Sequence, residues 1–288
     1  MNEQSKIANA AERHGALASP VPPPGAAADW TVPQRWEELT EEDHRVWDTL
    51  FARQKLLLHD SAVHEFDENL EILELSRPGI PDFDELNQKL GERTGWKVVA
   101  VPGLVPDDVF YQHLSKRQFP AGNFIRRANQ LDYLEEPDVF HDVFGHVPLL
   151  AQPAVADFMH ELGLLGLKAA ELGELHRIAR LYWYTVEFGL ALERGSPKIY
   201  GAGILSSFGE SHYSLESPEP HRLAFDLKRV LRTRYRTDAF QQSYFVIGRF
   251  EDALNLLREN DFAALCSDLS DLPDIDPSVA EADELIAA

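Results

Sequence analysis

A chain of 288 residues that is 44% hydrophobic, 10% aromatic and 26% charged can bury a substantial core. Its formal net charge of −21 argues against nucleic acid or an anionic membrane as a partner, since both are polyanions. The lone cysteine, Cys266, permits no disulfide within the chain, and no apolar run approaches the roughly 20 residues that span a bilayer, so a cytoplasmic protein is expected.

Residues 1–29 are rich in Ala and Pro, lack an apolar period and carry no apolar leader segment. They are expected to form a disordered lead, because they bury too little to offset their ordering entropy. A single domain is expected over residues 30–262. Thr40 and Asp43 resemble a capping box, and Trp47, Leu50, Phe51 and Leu58 follow at helical spacing. Pro81 opens a second predicted helix with Phe83, Leu86 and Leu90, which Gly91 closes. Residues 98–101 read as a strand. Helices are predicted over 106–114, 137–146, 155–172, 175–194, 220–232 and 250–258, with a second strand over 241–247. The basic cluster Lys228, Arg229, Arg232, Arg234 and Arg236 reads as a solvated helix face. Residues 263–288, acidic and Pro-interrupted, are expected to be a mobile tail. The fold class is therefore mainly α, one helix-rich domain with a few short strands.

Chemistry concentrates at His141-Asp142-Val143-Phe144-Gly145-His146. Imidazoles five positions apart on an α-helix point about 140° away from each other. They converge on one ion only if the helix ends or distorts, which Gly145 and Pro148 make plausible. The spacing is one residue longer than that of the zinc-protease motif, and Asp stands where that motif has Glu. Spacing alone proves little, because His59-Asp60-Ser61-Ala62-Val63-His64 repeats the pattern in acidic surroundings and reads as a surface pair. A third group shifts the balance. Glu187 lies in an almost wholly apolar helix, and a buried carboxylate needs a cation or a metal. Two imidazoles and a carboxylate form the facial set that leaves positions open on Fe(II), although catalytic zinc accepts the same ligands.

The runs Phe119–Arg126, Glu136–Asp138, His141–Pro148, Tyr182–Gly189 and Tyr200–Glu210 carry a further signal. In this order they resemble the pterin-dependent aromatic amino acid hydroxylases, especially the short bacterial phenylalanine hydroxylases. The resemblance covers about Trp30 to Asn260 and implies an open iron site using Fe(II) and a tetrahydropterin such as tetrahydrobiopterin. It implies iron ligation by His141, His146 and Glu187. Substrate binding would fall to Arg126, held by Asp138, with Trp183 lining the ring pocket and Ser206, Ser207 and Val246 nearby. Phe110 would stack on the pterin, the backbone of Gly103, Leu104 and Val105 would read its amide edge, and Asp142 and Tyr182 would lie close to it. Ser206 would also stand by an iron-bound histidine, so Tyr182, Ser206 and Asp142 are expected to assist the reaction.

The implied reaction turns L-phenylalanine into L-tyrosine with O2. Trp183 and Val246 fit that substrate better than tyrosine or tryptophan, the alternatives within the family. A zinc hydrolase with the same ligands and a silent binding protein remain as rivals of other classes. Asp142 departs from the animal enzymes, which carry Glu there. No regulatory domain or tetramerising heptad helix is recognisable, so a monomer that binds only small molecules is expected.

Overall fold

The computed structural model describes residues 21–132, 136–280 and 283–287. As the pattern implies, it is mainly helical, with short strands in two small sheets. Strands β1 (Lys97–Val101) and β2 (Gln118–Gly122) pair in parallel, joined by the crossover helix Asp107–Ser115. Strands β3 (Leu190–Glu193), β4 (Ser196–Ile199), β5 (His221–Ala224) and β6 (Ser243–Ile247) form the second sheet, in the order β4–β3–β6–β5. Among the described residues, the first one buried in the core is Trp30. Most of the expected lead lies outside the described residues, and of its described part, 21–29, most residues are exposed.

The predicted capping box is present. Thr40 Oγ1 accepts the Asp43 N–H at 3.2 Å, and Asp43 Oδ2 accepts the Thr40 N–H at 2.8 Å. The helix Glu41–Leu58 then buries Val46, Trp47, Leu50 and Leu58. On the same helix, buried Gln54 donates to the Leu205 carbonyl at 2.6 Å and so braces the segment that carries Ser206.

Several boundaries differ from expectation. The second helix, Phe83–Thr94, starts from the Asp82 cap and passes through Gly91. It stops at Gly95, whose φ of 74° is the left-handed ending that glycine adopts without a Cβ clash. The predicted 175–194 helix is α-helical only over Leu175–Tyr182. A π turn follows over Trp183–Glu187, and then β3. Gly189 permits the change of direction: a Cβ there would lie 2.2 Å from the Thr185 carbonyl oxygen and 2.3 Å from the Tyr200 ring. Residues 220–232 divide into β5, hydrogen-bonded to β6, and a short helix Leu227–Arg232 capped by Asp226.

The C-terminal segment corrects two expectations at once. Phe262–Leu269 is a helix that buries Phe262, Leu265, Cys266 and Leu269. Beyond it, Asp274 holds Arg180 through two hydrogen bonds of 2.7 and 2.9 Å, and Ile275 and Leu285 make bridges to Thr233 and Leu223. The basic cluster receives this segment. Arg229 pairs with Asp283, Arg234 with Asp276 and Lys228 with Asp268, while Arg232 donates to the Pro273 carbonyl. The segment is therefore laid against the domain, and Arg229 is buried rather than solvated. No helix among the described residues is long and apolar enough to cross a membrane.

Candidate functional site

Phe140–His146 winds as a π-helix, whose i→i+5 hydrogen bonds set residues five apart one turn above each other. This is the distortion the histidine spacing required. It brings His141 Nε2 to 3.3 Å from His146 Nε2, with the ring centroids 5.1 Å apart. Gly145 allows the run to approach the short helix Ala202–Leu205, because a Cβ there would stand 3.0 Å from the Ala202 Cβ and carbonyl oxygen. The second π turn delivers Glu187 to the same place. Its Oε2 lies 3.5 Å from His141 Nε2 and its Oε1 3.2 Å from His146 Nε2. The duplicate pair is elsewhere: the His59 and His64 side chains are 80% and 66% exposed.

A hydrogen bond fixes the histidine tautomer. Ser206 Oγ donates to the Ala202 carbonyl at 2.8 Å, so it must accept from His141 Nδ1, also at 2.8 Å. Nδ1 thus carries the hydrogen and Nε2 presents its lone pair. Burial pushes the His141 imidazole down to about 4 against the pull of Glu187, so the ring is neutral at neutral pH. A half-buried and a buried imidazole turned nitrogen to nitrogen, with one carboxylate facing both, form a donor set that fits a divalent metal with open positions. The Asp142 carboxylate also comes within 4.8 Å of the histidine donors. Its Oδ2, however, accepts the Gly122 N–H at 2.7 Å, and burial pushes it well above the usual carboxylate range, so Glu187 is the better third donor.

Arg126 and Asp138 form a buried fork: Nε to Oδ2 at 2.8 Å and a terminal nitrogen to Oδ1 at 2.9 Å. Asp138 also accepts the N–H groups of Arg126 and His141, which ties the fork to the metal-site turn. Burial alone would raise the Asp138 carboxyl, but the Arg126 contacts outweigh it and hold it below the usual carboxylate range.

All six residues expected around the pterin meet in one cleft. Gly103, Leu104, Val105, Phe110, Asp142 and Tyr182 line it together with His146 and Glu187. Tyr182 sets its ring edge-on to Phe110 at 5.3 Å, and burial followed by the Glu187 charge raises its hydroxyl. Several residues in or beside this cleft are not among the expected site residues, Glu136, Phe119 and Pro120 being the clearest. Glu136 accepts the Leu104 N–H at 2.9 Å, Phe119 packs on His146 at 4.7 Å, and Pro120 lines the wall. All three lie within the runs that carry the family resemblance, but nothing in their residue type marks them.

The remaining expectations divide. Trp183 is half-buried, stacked on Tyr235 at 4.3 Å. Ser207 caps the helix Phe208–Glu216 by accepting the Glu210 N–H at 3.2 Å, a structural task that differs from the expected substrate contact. Val246 is buried in β6, in register with Leu190 and Ala224.

Comparison with known proteins settles the family. Residues 31–267 match the model of the biopterin-dependent aromatic amino acid hydroxylases. The chain belongs to this family. A phenylalanine-4-hydroxylase of Caulobacter vibrioides is 54% identical over 257 residues, covering 88% of this chain and 86% of its own. The crystal structure of the Chromobacterium violaceum phenylalanine hydroxylase bound to cobalt superposes with a TM-score of 0.88 at 47% identity, covering 99% of both chains. The iron- and phenylalanine-bound structure of that enzyme gives 0.85 at 49% identity, covering 90% of this chain and 94% of the other. The hydroxylase family match extends to residue 267, within the helix Phe262–Leu269 and past the expected start of the tail at residue 263.

Proposed function

We propose that this hydroxylase converts L-phenylalanine into L-tyrosine with O2 and a tetrahydropterin at a mononuclear non-haem Fe(II) site. The observation that carries the reading is the convergence of His141, His146 and Glu187 beside a cleft lined by Phe110, Asp142 and Tyr182. His141, His146 and Glu187 hold the metal, and the Ser206 hydroxyl keeps His141 in the ligating tautomer. Held there, Fe(II) with a tetrahydropterin would supply the oxidising power that activates dioxygen for hydroxylation of the aromatic ring.

The protein's own part is binding, orientation and exclusion of water. Arg126 grips the substrate carboxylate with the donors that its Asp138 fork leaves available, and Asp138 keeps the guanidinium from rotating. Trp183 packs against the substrate ring, and Val246 acts on ring choice from its strand. Phe110 stacks on the pterin, and the backbone of Gly103–Val105 reads its amide edge. Asp142 and Tyr182 would lie beside the cofactor, in the cleft they line together with His146 and Glu187. Their burial, with that of Phe119 and Phe140, keeps bulk water from the reacting centre.

The site is built from one chain and its substrates are small molecules. We infer a cytoplasmic monomer that engages neither nucleic acid nor membrane, a reading the net charge of −21 supports. The test is product analysis with phenylalanine, tyrosine and tryptophan, each with Fe(II) and a tetrahydropterin. Tyrosine from phenylalanine should dominate, whereas preferential turnover of either other amino acid would overturn the substrate assignment.

A further inference from the structure

Glu210 has no part in the chemistry above, yet it is buried. Its Oε1 accepts the Gln241 N–H at 3.1 Å and the Tyr244 hydroxyl at 2.5 Å. Gln241, also buried, is held in one orientation by its own amide: Nε2 donates to the carbonyls of Arg236 at 3.0 Å and Ala239 at 3.4 Å. Its Oε1 must therefore face the other way, where it accepts the Trp183 indole N–H at 3.0 Å. The indole is further fixed by Tyr235, stacked at 4.3 Å, and by Phe188 at 4.7 Å. Gln241 stands two residues before β6, the strand of Val246, and Tyr244 lies within it. One buried carboxylate thus braces both side chains through which ring choice is proposed to act.

We infer that Glu210 and Gln241 are positioning residues for the aromatic substrate: Gln241 fixes the Trp183 ring through its N–H, and Glu210 fixes Gln241 and the entry to β6. This rests on the reading of Trp183 as a ring-pocket residue. An indole side chain turns about two torsions, and its half-buried N–H loses its acceptor if the Gln241 oxygen is withdrawn. The ring then samples other angles, and the substrate is presented to the metal less consistently. A purely structural network would lower stability and leave the handling of substrate unchanged.

The experiment compares Gln241→Leu, Trp183→Phe and the double variant with the wild-type iron enzyme. Gln241→Leu should raise KM for phenylalanine about fivefold and halve, roughly, the tyrosine formed per tetrahydropterin oxidised, at unchanged iron content and pterin KM. In the Trp183→Phe background, which has no indole N–H, the same Leu substitution should add nothing to either quantity. Equal increments in both backgrounds, or no change on Gln241→Leu, would overturn the inference. Should Leu prevent folding, Gln241→Asn withdraws the oxygen by one methylene while keeping the amide, and unchanged KM and coupling would then overturn it. A readout without turnover separates this inference from the proposed reaction. Exchange of the Trp183 indole N–H with solvent, followed by NMR, should accelerate in the Gln241 variant, and unchanged protection counts against the inference whatever the enzyme makes.

Discussion

Replacing Asp274 by Ala should destabilise the domain by about 2–3 kcal/mol, although Asp274 lies in the segment that the sequence presents as a tail. Arg180 has a side chain with no exposure, and Asp274 meets it with hydrogen bonds of 2.7 and 2.9 Å. Removing the carboxylate takes two charge-assisted hydrogen bonds from a guanidinium that stays buried. Breaking a buried ion pair from one side costs roughly 3–5 kcal/mol. The Asp274 side chain is 35% exposed, so water reaches the vacated position and brings the expectation below that range, to about 2–3 kcal/mol. Urea denaturation of Asp274→Ala should show the loss as a lower midpoint at an unchanged slope. Asp276→Ala is the control, because its pair with Arg234 is exposed on both sides and should contribute about 1 kcal/mol or less.

The same pair has a pH signature. Burial would raise the Asp274 carboxyl, but Arg180 outweighs it and depresses it below its ordinary value of 3.8. The pair's stabilisation is thus fully present above that value and is lost as pH falls through the depressed one. The gap between wild type and Asp274→Ala should hold at neutral pH and close below pH 3.8. A difference under about 0.5 kcal/mol at neutral pH would refute the view that the C-terminal segment is part of the folded domain.

Three further outcomes are expected. Ala at His141, His146 or Glu187 should abolish iron binding in a folded protein, while Ala at His59 or His64 leaves iron content intact; equal loss from the second pair would show that the wrong histidines were chosen. Arg126→Lys should raise KM for phenylalanine by about 30-fold, roughly 2 kcal/mol, because an ammonium cannot keep the Asp138 fork and also bind a carboxylate bidentately; an unchanged KM would remove Arg126 from the site. Val246→Asp should lower the ratio of kcat/KM for phenylalanine over tyrosine at least about tenfold by placing an acid in a buried strand, and an unchanged ratio would free Val246 of any role in ring choice.

What the sequence made legible follows the range of each interaction. The capping box of Thr40 and Asp43 and the apolar period after it are local, and both appear as expected. The need for a distorted helix between His141 and His146 could be worked out from 3.6-residue geometry alone. The π form of that distortion could not, and neither could the close approach of Gly145 to Ala202 from a distant part of the chain. Glu187 was conspicuous as a carboxylate without a local cation. The basic cluster and the acidic C-terminal segment were each visible, but their pairing joins residues about fifty positions apart, as in Arg229 with Asp283. Read separately, each looked solvated. The same limit hid β5, whose strand character comes from its ladder with β6 rather than from its own pattern. Ser207 shared with Ser206 only the expectation of a place near the substrate. The difference lies in which carbonyls and N–H groups the fold brings to each hydroxyl.

The central claim is that this chain transfers an atom of dioxygen to the ring of phenylalanine, and isotopic labelling tests it most directly. Purified protein with Fe(II), a tetrahydropterin and phenylalanine is incubated under 18O2 in ordinary water, and the tyrosine is weighed by mass spectrometry. The account predicts one 18O in the phenolic group, with no tyrosine formed when the pterin is omitted. Tyrosine that takes its hydroxyl oxygen from water, or forms equally well without a pterin, would contradict it.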